Sequence, residues 1–302
     1  MQVLASELAS YQDEPKQLAT GGLGKEALLR LRFEARAERS ILAFMERKAP
    51  LLVQKALYCD EGMPDTPVVY IITTSGGLVQ GDRYTVEFDM RPRARAHVTT
   101  QAATKIHEMD ANYAAQTQEF LLDDGAYLEY LPEPIIPSRH SRFHSRTRVR
   151  IAESATLLYA ETLLAGRLHY REGERFQFDV YSSSVSAERP EGAKLFTEKL
   201  LIEPEHADVR NIGVMGNFNV FGSVVLLTPR EHAAAIQQTM GAQWSRAGEW
   251  ADGASRLPND AGLVYRVVAA DTQTARERIR AFWKLVRLQV AGCPVANPFP
   301  WR

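Results

Sequence analysis

Four carboxylates stand out by their surroundings. Asp82 ends a loop that holds Gly76, Gly77 and Gly81, with β-rich runs on either side between Tyr70 and Met90. Glycine enters backbone conformations with φ > 0 that other residues reach only at a cost. Three of them ahead of one acid point to a backbone shaped to hold that acid in place. Glu161 lies on the apolar run Leu157–Leu164, Glu198 on Leu195–Ile202, and Glu129 within Tyr127-Leu-Glu-Tyr130. Acids within β runs are seldom fully buried unless paired or bound to a cation. Exposed strand faces, buried ion pairs and an acid-lined cavity would each accommodate them. Oxygen ligands bind transition metals weakly beside His and Cys, so a series of such acids suits passing a metal along better than storing it.

Other chemistries are disfavoured by the residues themselves. Gly76–Gly81 has the spacing of a phosphate loop, but Asp82 and Arg83 follow where that loop needs Lys and Ser/Thr. A carboxylate there repels the phosphate that backbone amides would cradle. His140 and His144 are four residues apart, yet they sit among Arg139, Arg142, Arg146, Arg148 and Arg150, a setting that works against a cation. We expect a solvated or partner-facing basic edge strand there. His107-Glu108 is a lone pair of possible ligands. No His-Glu-x-x-His and no Gly-x-Ser-x-Gly occurs.

The elements that must position these acids are mostly strands. Leu29–Arg36 and Tyr84–Met90 alternate apolar and polar residues with the period of a half-buried strand. Three stretches then line up: Phe88–Val98, Phe120–Tyr130 and Val149–Tyr159. Each carries two strands meeting at a turn, with Ala94, Ala126 or Ala155 at the same point, roughly 30 residues apart. Such a period predicts a β-helix-like or solenoid stack of strands. Further strands are expected at Ile41–Met45, Leu51–Val53, Val68–Thr73, Arg175–Tyr181, Leu195–Ile202, Ser223–Leu227 and Leu263–Ala269. Ser182–Ala193 and Ala242–Ala261 read as loops.

Two helices are expected near the C-terminus. Thr228, Pro229 and Glu231 form a capping box with proline at the first helical position, and Gly241 closes that helix. The second starts after Asp271 or Thr272 and buries Ala275, Ile279, Phe282, Trp283, Val286 and Val290 before Gly292. Residues 1–302 are expected to form one mainly β domain, with 1–25 as a mobile extension that has room for one short strand.

The net charge of −1 gives no electrostatic footprint for nucleic acid or an anionic membrane. Two cysteines, Cys59 and Cys293, offer no Cys-x-x-Cys motif. Met1–Ser10 lacks the pattern of a signal peptide, and no run approaches the ~18 apolar residues of a membrane span. A reduced, cytoplasmic protein is the expectation.

The motif series resembles the urease accessory protein UreD family, also called UreH. It comprises Pro50-Leu-Leu-Val-Gln-Lys-Ala-Leu-Tyr58, Ser75-Gly-Gly-Leu-Val-Gln-Gly-Asp82, Thr99–Ile106, Leu128–Pro137, Leu164-Ala-Gly-Arg167, Gly173-Glu-Arg-Phe176 and a terminal Pro298-Phe-Pro-Trp301. The resemblance runs from about Leu29 to the C-terminus. It implies a β-helix-like stack with two helices and a role without turnover. That role is a scaffold in the UreD–UreF–UreG complex that delivers nickel to apo-urease, as a dimer of heterodimers with UreF. No cofactor is then permanently bound; nickel passes transiently along an acid-lined tunnel. By motif position the acids are Asp82, Glu161 and Glu198, with Gly76, Gly77, Gly81, Thr104 and Lys105 supporting the loop. Gln80 stands where many members have glycine, and Gln2–Lys25 is longer than usual in bacterial members. Two other readings remain: a β-solenoid hydrolase using paired carboxylates, and an interaction module in which the acids form ordinary ion pairs.

Overall fold

The computed structural model describes residues 5–12, 24–296 and 299. In chain order the strands are β1 (Glu26–Arg36), β2 (Arg39–Lys48), β3 (Leu51–Leu52), β4 (Val68–Thr73), β5 (Arg83–Met90), β6 (Arg95–Thr100), β7 (Thr104–Ile106), β8 (Ala114–Leu122) and β9 (Tyr127–Tyr130). They continue as β10 (Ile135–Pro137), β11 (Arg142–Ile151), β12 (Thr156–Leu164), β13 (Val180–Glu188), β14 (Lys194–Ile202), β15 (Val220–Leu227), β16 (Gln243–Trp244), β17 (Trp250–Arg256) and β18 (Gly262–Ala269). Helix α1 (Arg230–Thr239) lies between β15 and β16, and helix α2 (Thr272–Ala291) follows β18.

These strands form two sheets. The seven-stranded sheet runs β14-β13-β11-β8-β5-β1-β2. The eleven-stranded sheet runs β16-β17-β18-β15-β12-β9-β6-β4-β3, with the short β7 and β10 alongside. From β5 to β12 the chain passes back and forth between the sheets, so successive coils stack with parallel pairing: β5 on β8 on β11, and β6 on β9 on β12. The sequence repeat is this coil. Phe88 pairs with Phe120, and Phe120 with Val149, as the three-way match predicts. The turns stack too: Tyr127 N–H donates to the Ala94 carbonyl at 2.9 Å and Thr156 N–H to that of Ala126 at 2.8 Å. Ala94, Ala126 and Ala155 are at most 1% exposed, so only a small side chain fits where one coil rests on the next.

The main core fills the space between the sheets. Leu29, Leu31 and Phe33 of β1, Val86 and Phe88 of β5, Phe120 of β8 and Leu128 of β9 all belong to it. Their opposite faces carry Arg30–Glu87 and Arg32–Asp89 ion pairs in solvent. A second core lies on the outer face of the larger sheet, under α2. Phe282, Trp283 and Val286 pack there, with the Phe282 ring stacked on Tyr265 at 4.5 Å. Asp271 caps α2 by accepting from Thr274 N–H at 2.9 Å, and Gly292 ends it at φ 69°, as the sequence predicts.

Several expectations are corrected. The first helix starts at Arg230 with no side-chain cap, because the Thr228 hydroxyl is engaged with that of Thr156 at 2.8 Å. Arg175–Val180 is not a strand until its last residue. Phe176 sits at φ 52°, in a loop pinned by the Arg167–Glu174 ion pair, so alternation there reflects loop packing. Ser182–Glu188 is strand rather than loop, since β11 offers it a parallel edge and its serines find polar partners. Ala242–Ala261 contains the β16–β17 pair. The basic stretch is an inner strand, β11, lying between β8 and β13. Its outward arginines meet acids on neighbouring elements, as in Arg142–Asp179 and Arg150–Glu188.

Of the N-terminal stretch, Ser6–Tyr11 forms a single 3-10 segment that buries Leu8 against Tyr113 and Val180. Residues 13–23 lie outside the described residues, as do 297–298 and 300–302 of the terminal motif. Among the described residues no helix is long and apolar enough to cross a membrane.

Candidate functional site

Between the sheets, one end of the core turns polar. Parallel register places Tyr84, Gln116, Ser145 and Ser183 in one row across β5, β8, β11 and β13. The next row is Val86, Gln118, Thr147 and Val185, continuing to Glu198 on β14. From the opposite sheet Tyr130, Tyr159 and Glu161 project into the same gap. A cavity of about 50 Å³ lies here, walled by Tyr84, Gln116, Ser145, Tyr159, Glu161 and Thr104 among others. That volume holds a few waters.

Glu161 is the acid at its centre. It remains partly accessible, and three hydroxyls donate to it: Tyr181 at 2.8 Å, Ser183 at 3.0 Å and Tyr159 at 3.2 Å. Burial pushes its pKa up against these donors, and the Glu198 carboxylate adds to the rise. Glu161 belongs to a row of its own sheet, Glu161–Ser223–Arg266, across β12, β15 and β18. Arg266 reaches over to Glu198, so this pair ties the two sheets together beside the cavity.

Asp82 is placed differently. It is 2% exposed, and its two oxygens accept backbone N–H groups of Lys25 at 2.8 Å and Val79 at 3.0 Å. It organises the end of the glycine loop and borders the cavity through Tyr84, whose hydroxyl feels its charge. Among the loop glycines, Gly77 and Gly81 are required by geometry. At Gly77 (φ 150°) a Cβ would lie 2.5 Å from the Lys105 carbonyl oxygen, and Gly81 sits at φ 80°. At Gly76 a Cβ would meet only the His107 ring, at an ordinary contact distance of 3.9 Å. Lys105 supports the loop through that carbonyl, which accepts Leu78 N–H at 2.8 Å. Of the predicted residues, Glu161 and Thr104 line the cavity; Asp82 and Glu198 do not, although the Glu198 charge acts on Glu161, and Lys105 lies behind the loop.

A second ionic cluster lies on the far face of the larger sheet. Arg287 of α2, fully buried, pairs with both Glu129 and Asp60. Glu129 also bonds His97 at 2.8 Å and Tyr127 at 2.7 Å. Burial alone would raise the Glu129 pKa; Arg287 and His97 outweigh it and hold the carboxyl far below its usual range. Arg287 was not legible as a core residue, because a guanidinium is almost never fully buried unless its partners, here Glu129 and Asp60, are supplied by distant segments. Glu133, near the cavity, was legible only as part of the Leu-Pro-Glu-Pro motif. His140 pairs with Asp179 and His144 with Ser182. Among the described residues, no three His, Cys, Asp or Glu side chains converge to hold a metal ion.

A coiled two-sheet β-stack with an acid-bearing polar cleft, and helices against one outer face, is the class of scaffold these features define. The family described as UreD urease accessory protein matches residues 25–302. The chain is 51% identical over 297 residues to the Urease accessory protein UreD 2 of Brucella suis biovar 1, covering 98% of both chains. It is 48% identical over 300 residues to the Urease accessory protein UreD of Yersinia pseudotuberculosis serotype O:1b, covering 99% of this chain and 94% of that one. The chain belongs to the UreD urease accessory protein family.

Proposed function

We propose that this chain is a non-catalytic scaffold that joins UreF, and through it UreG, to apo-urease in the cytoplasm, and passes Ni²⁺ through its polar cleft. Glu161 carries this reading: a carboxyl of raised pKa, ringed by hydroxyls, at a cavity with room for water. A hydrated dication arriving there is met by the Glu161 carboxyl group and by neutral oxygen donors from Tyr159, Tyr181 and Ser183. Such oxygens hold a transition metal loosely enough for release. Glu198 offers the next carboxylate once Arg266 is displaced. Asp82 holds the loop that closes the cleft and adds negative charge behind Tyr84.

The experiment compares urease activation at limiting nickel by complexes carrying wild-type chain, Glu161→Gln or Glu161→Gln/Glu198→Gln. We expect the double variant to assemble with UreF and UreG yet activate at least tenfold more slowly. Wild-type activation by an intact double-variant complex would leave only the interaction role. A hydrolase instead requires turnover of a glycoside, abolished by either single change.

A further inference from the structure

The larger sheet has a gap beside Glu161. On one side β12 pairs with β15 along its whole length, Leu157 to Leu164. On the other, β9 pairs with Thr156–Tyr159 and β10 rejoins only at Leu163. Ala160, Glu161 and Thr162 therefore have no strand neighbour on that side. The intervening chain is Leu131-Pro-Glu-Pro134, and neither proline has an N–H to give a ladder. Its groups turn elsewhere: Glu133 N–H donates to the Thr100 hydroxyl at 2.8 Å, and the Pro134 carbonyl accepts Thr104 N–H at 2.9 Å.

The gap lies between two hollows. Pro132, Glu133, Ala160 and Thr162 wall the inter-sheet cavity, and the same four wall a groove on the opposite face, beneath α2. That groove, also about 50 Å³, is completed by Arg276, Arg280 and Trp283 of the helix. The Trp283 indole N–H is buried and has no acceptor among the described residues, which suits a groove that holds water. Across its mouth Arg276 binds Glu133 at 2.6 Å. Glu133 is mostly covered, at 18% exposed, while Arg276 at 45% stands toward solvent and is free to swing away.

We propose that Arg276 is a latch: its ion pair with Glu133 closes a second mouth of the inter-sheet cavity, and releasing it opens a water-filled route from α2 to Glu161. The route takes small hydrated solutes, and Glu133, once unpaired, favours a divalent cation over an anion. This deepens the nickel-passage reading and rests on it for the identity of the cargo, but the route itself is tested without nickel.

The reporter is Ser145→Cys, on the cavity wall, in a Cys59→Ala/Cys293→Ala chain; Gln116→Cys is the alternative if the first fails to fold. The rate of modification by methyl methanethiosulfonate, a small neutral reagent, is measured with and without Arg276→Ala. Arg32→Ala, which breaks the Arg32–Asp89 pair on the far outer face, is the control. The latch predicts a rate at least tenfold higher with Arg276→Ala and unchanged with Arg32→Ala. Equal rates for the two arginine variants overturn it and leave the nickel reading standing. Faster labelling combined with normal urease activation by Glu161→Gln/Glu198→Gln would keep the latch and overturn the nickel reading.

Discussion

Glu161, partly accessible, and Glu129, buried, are carboxyls on the same sheet, and their surroundings drive them in opposite directions. Glu129 faces a guanidinium and is held ionised; Glu161 faces hydroxyls and is pushed toward its protonated form. The two sites therefore make stability depend on pH in opposite senses. For Glu129 the folded pKa is depressed, so its contribution to stability is present above the unfolded value of about 4.3 and lost as pH falls. For Glu161 the folded pKa is raised, so its contribution is present below that value and lost as pH rises through the folded pKa. Glu161→Gln should therefore gain stability relative to wild type as pH rises from the unfolded value through the folded one, read as a growing difference in denaturant midpoint. Midpoints that stay parallel across that range would contradict the assignment. Arg287→Met leaves Glu129 and Asp60 buried without their cation and should cost roughly 3–5 kcal/mol at pH 7. Urea denaturation measures it, and a loss under about 1 kcal/mol would show that the cluster has other compensation.

Among the elements, the coil repeat was readable because its physical cause is local. Two alternating runs meet at a turn where only alanine fits, and that pattern recurs once per coil at Ala94, Ala126 and Ala155. Ala126→Leu should accordingly force adjacent coils apart and cost about 1–3 kcal/mol in denaturant unfolding. An unchanged midpoint would mean that the stacked turns are loosely packed. The α2 boundaries were equally plain, since Asp271 and Gly292 each carry a cap signal. What the chain does not announce is pairing between distant segments. Ser182–Glu188 is polar enough to read as a loop, and becomes strand only because β11 presents an open parallel edge. Arg175–Asp179 alternates but has no such edge, and is loop. The same limit applied to the site. Glu161 and Glu198 were visible as acids on apolar runs, whereas the row Tyr84–Gln116–Ser145–Ser183 is made by register and has no signature along the chain.

The molecule as a whole keeps two kinds of interior apart. One end of the inter-sheet space is aromatic and aliphatic, with the Phe88 and Phe120 rings stacked at 4.8 Å, and supplies cohesion. The other is polar and holds a small cavity. Ion pairs that link separate elements border it, Arg266–Glu198 between the sheets and Arg276–Glu133 under α2. Such an arrangement leaves the outer faces to partners, and under the proposed latch a restricted route would cross the interior. The proposed passage of nickel along that route is the central claim, and transfer measured directly tests it best. A complex of this chain with UreF and UreG, loaded with radioactive nickel, is mixed with apo-urease and a chelator that captures any ion released to solvent. The Glu161→Gln/Glu198→Gln complex, shown intact by gel filtration, should deliver nickel to urease at least tenfold more slowly than wild type. Delivery at the wild-type rate would contradict conduction through the cleft.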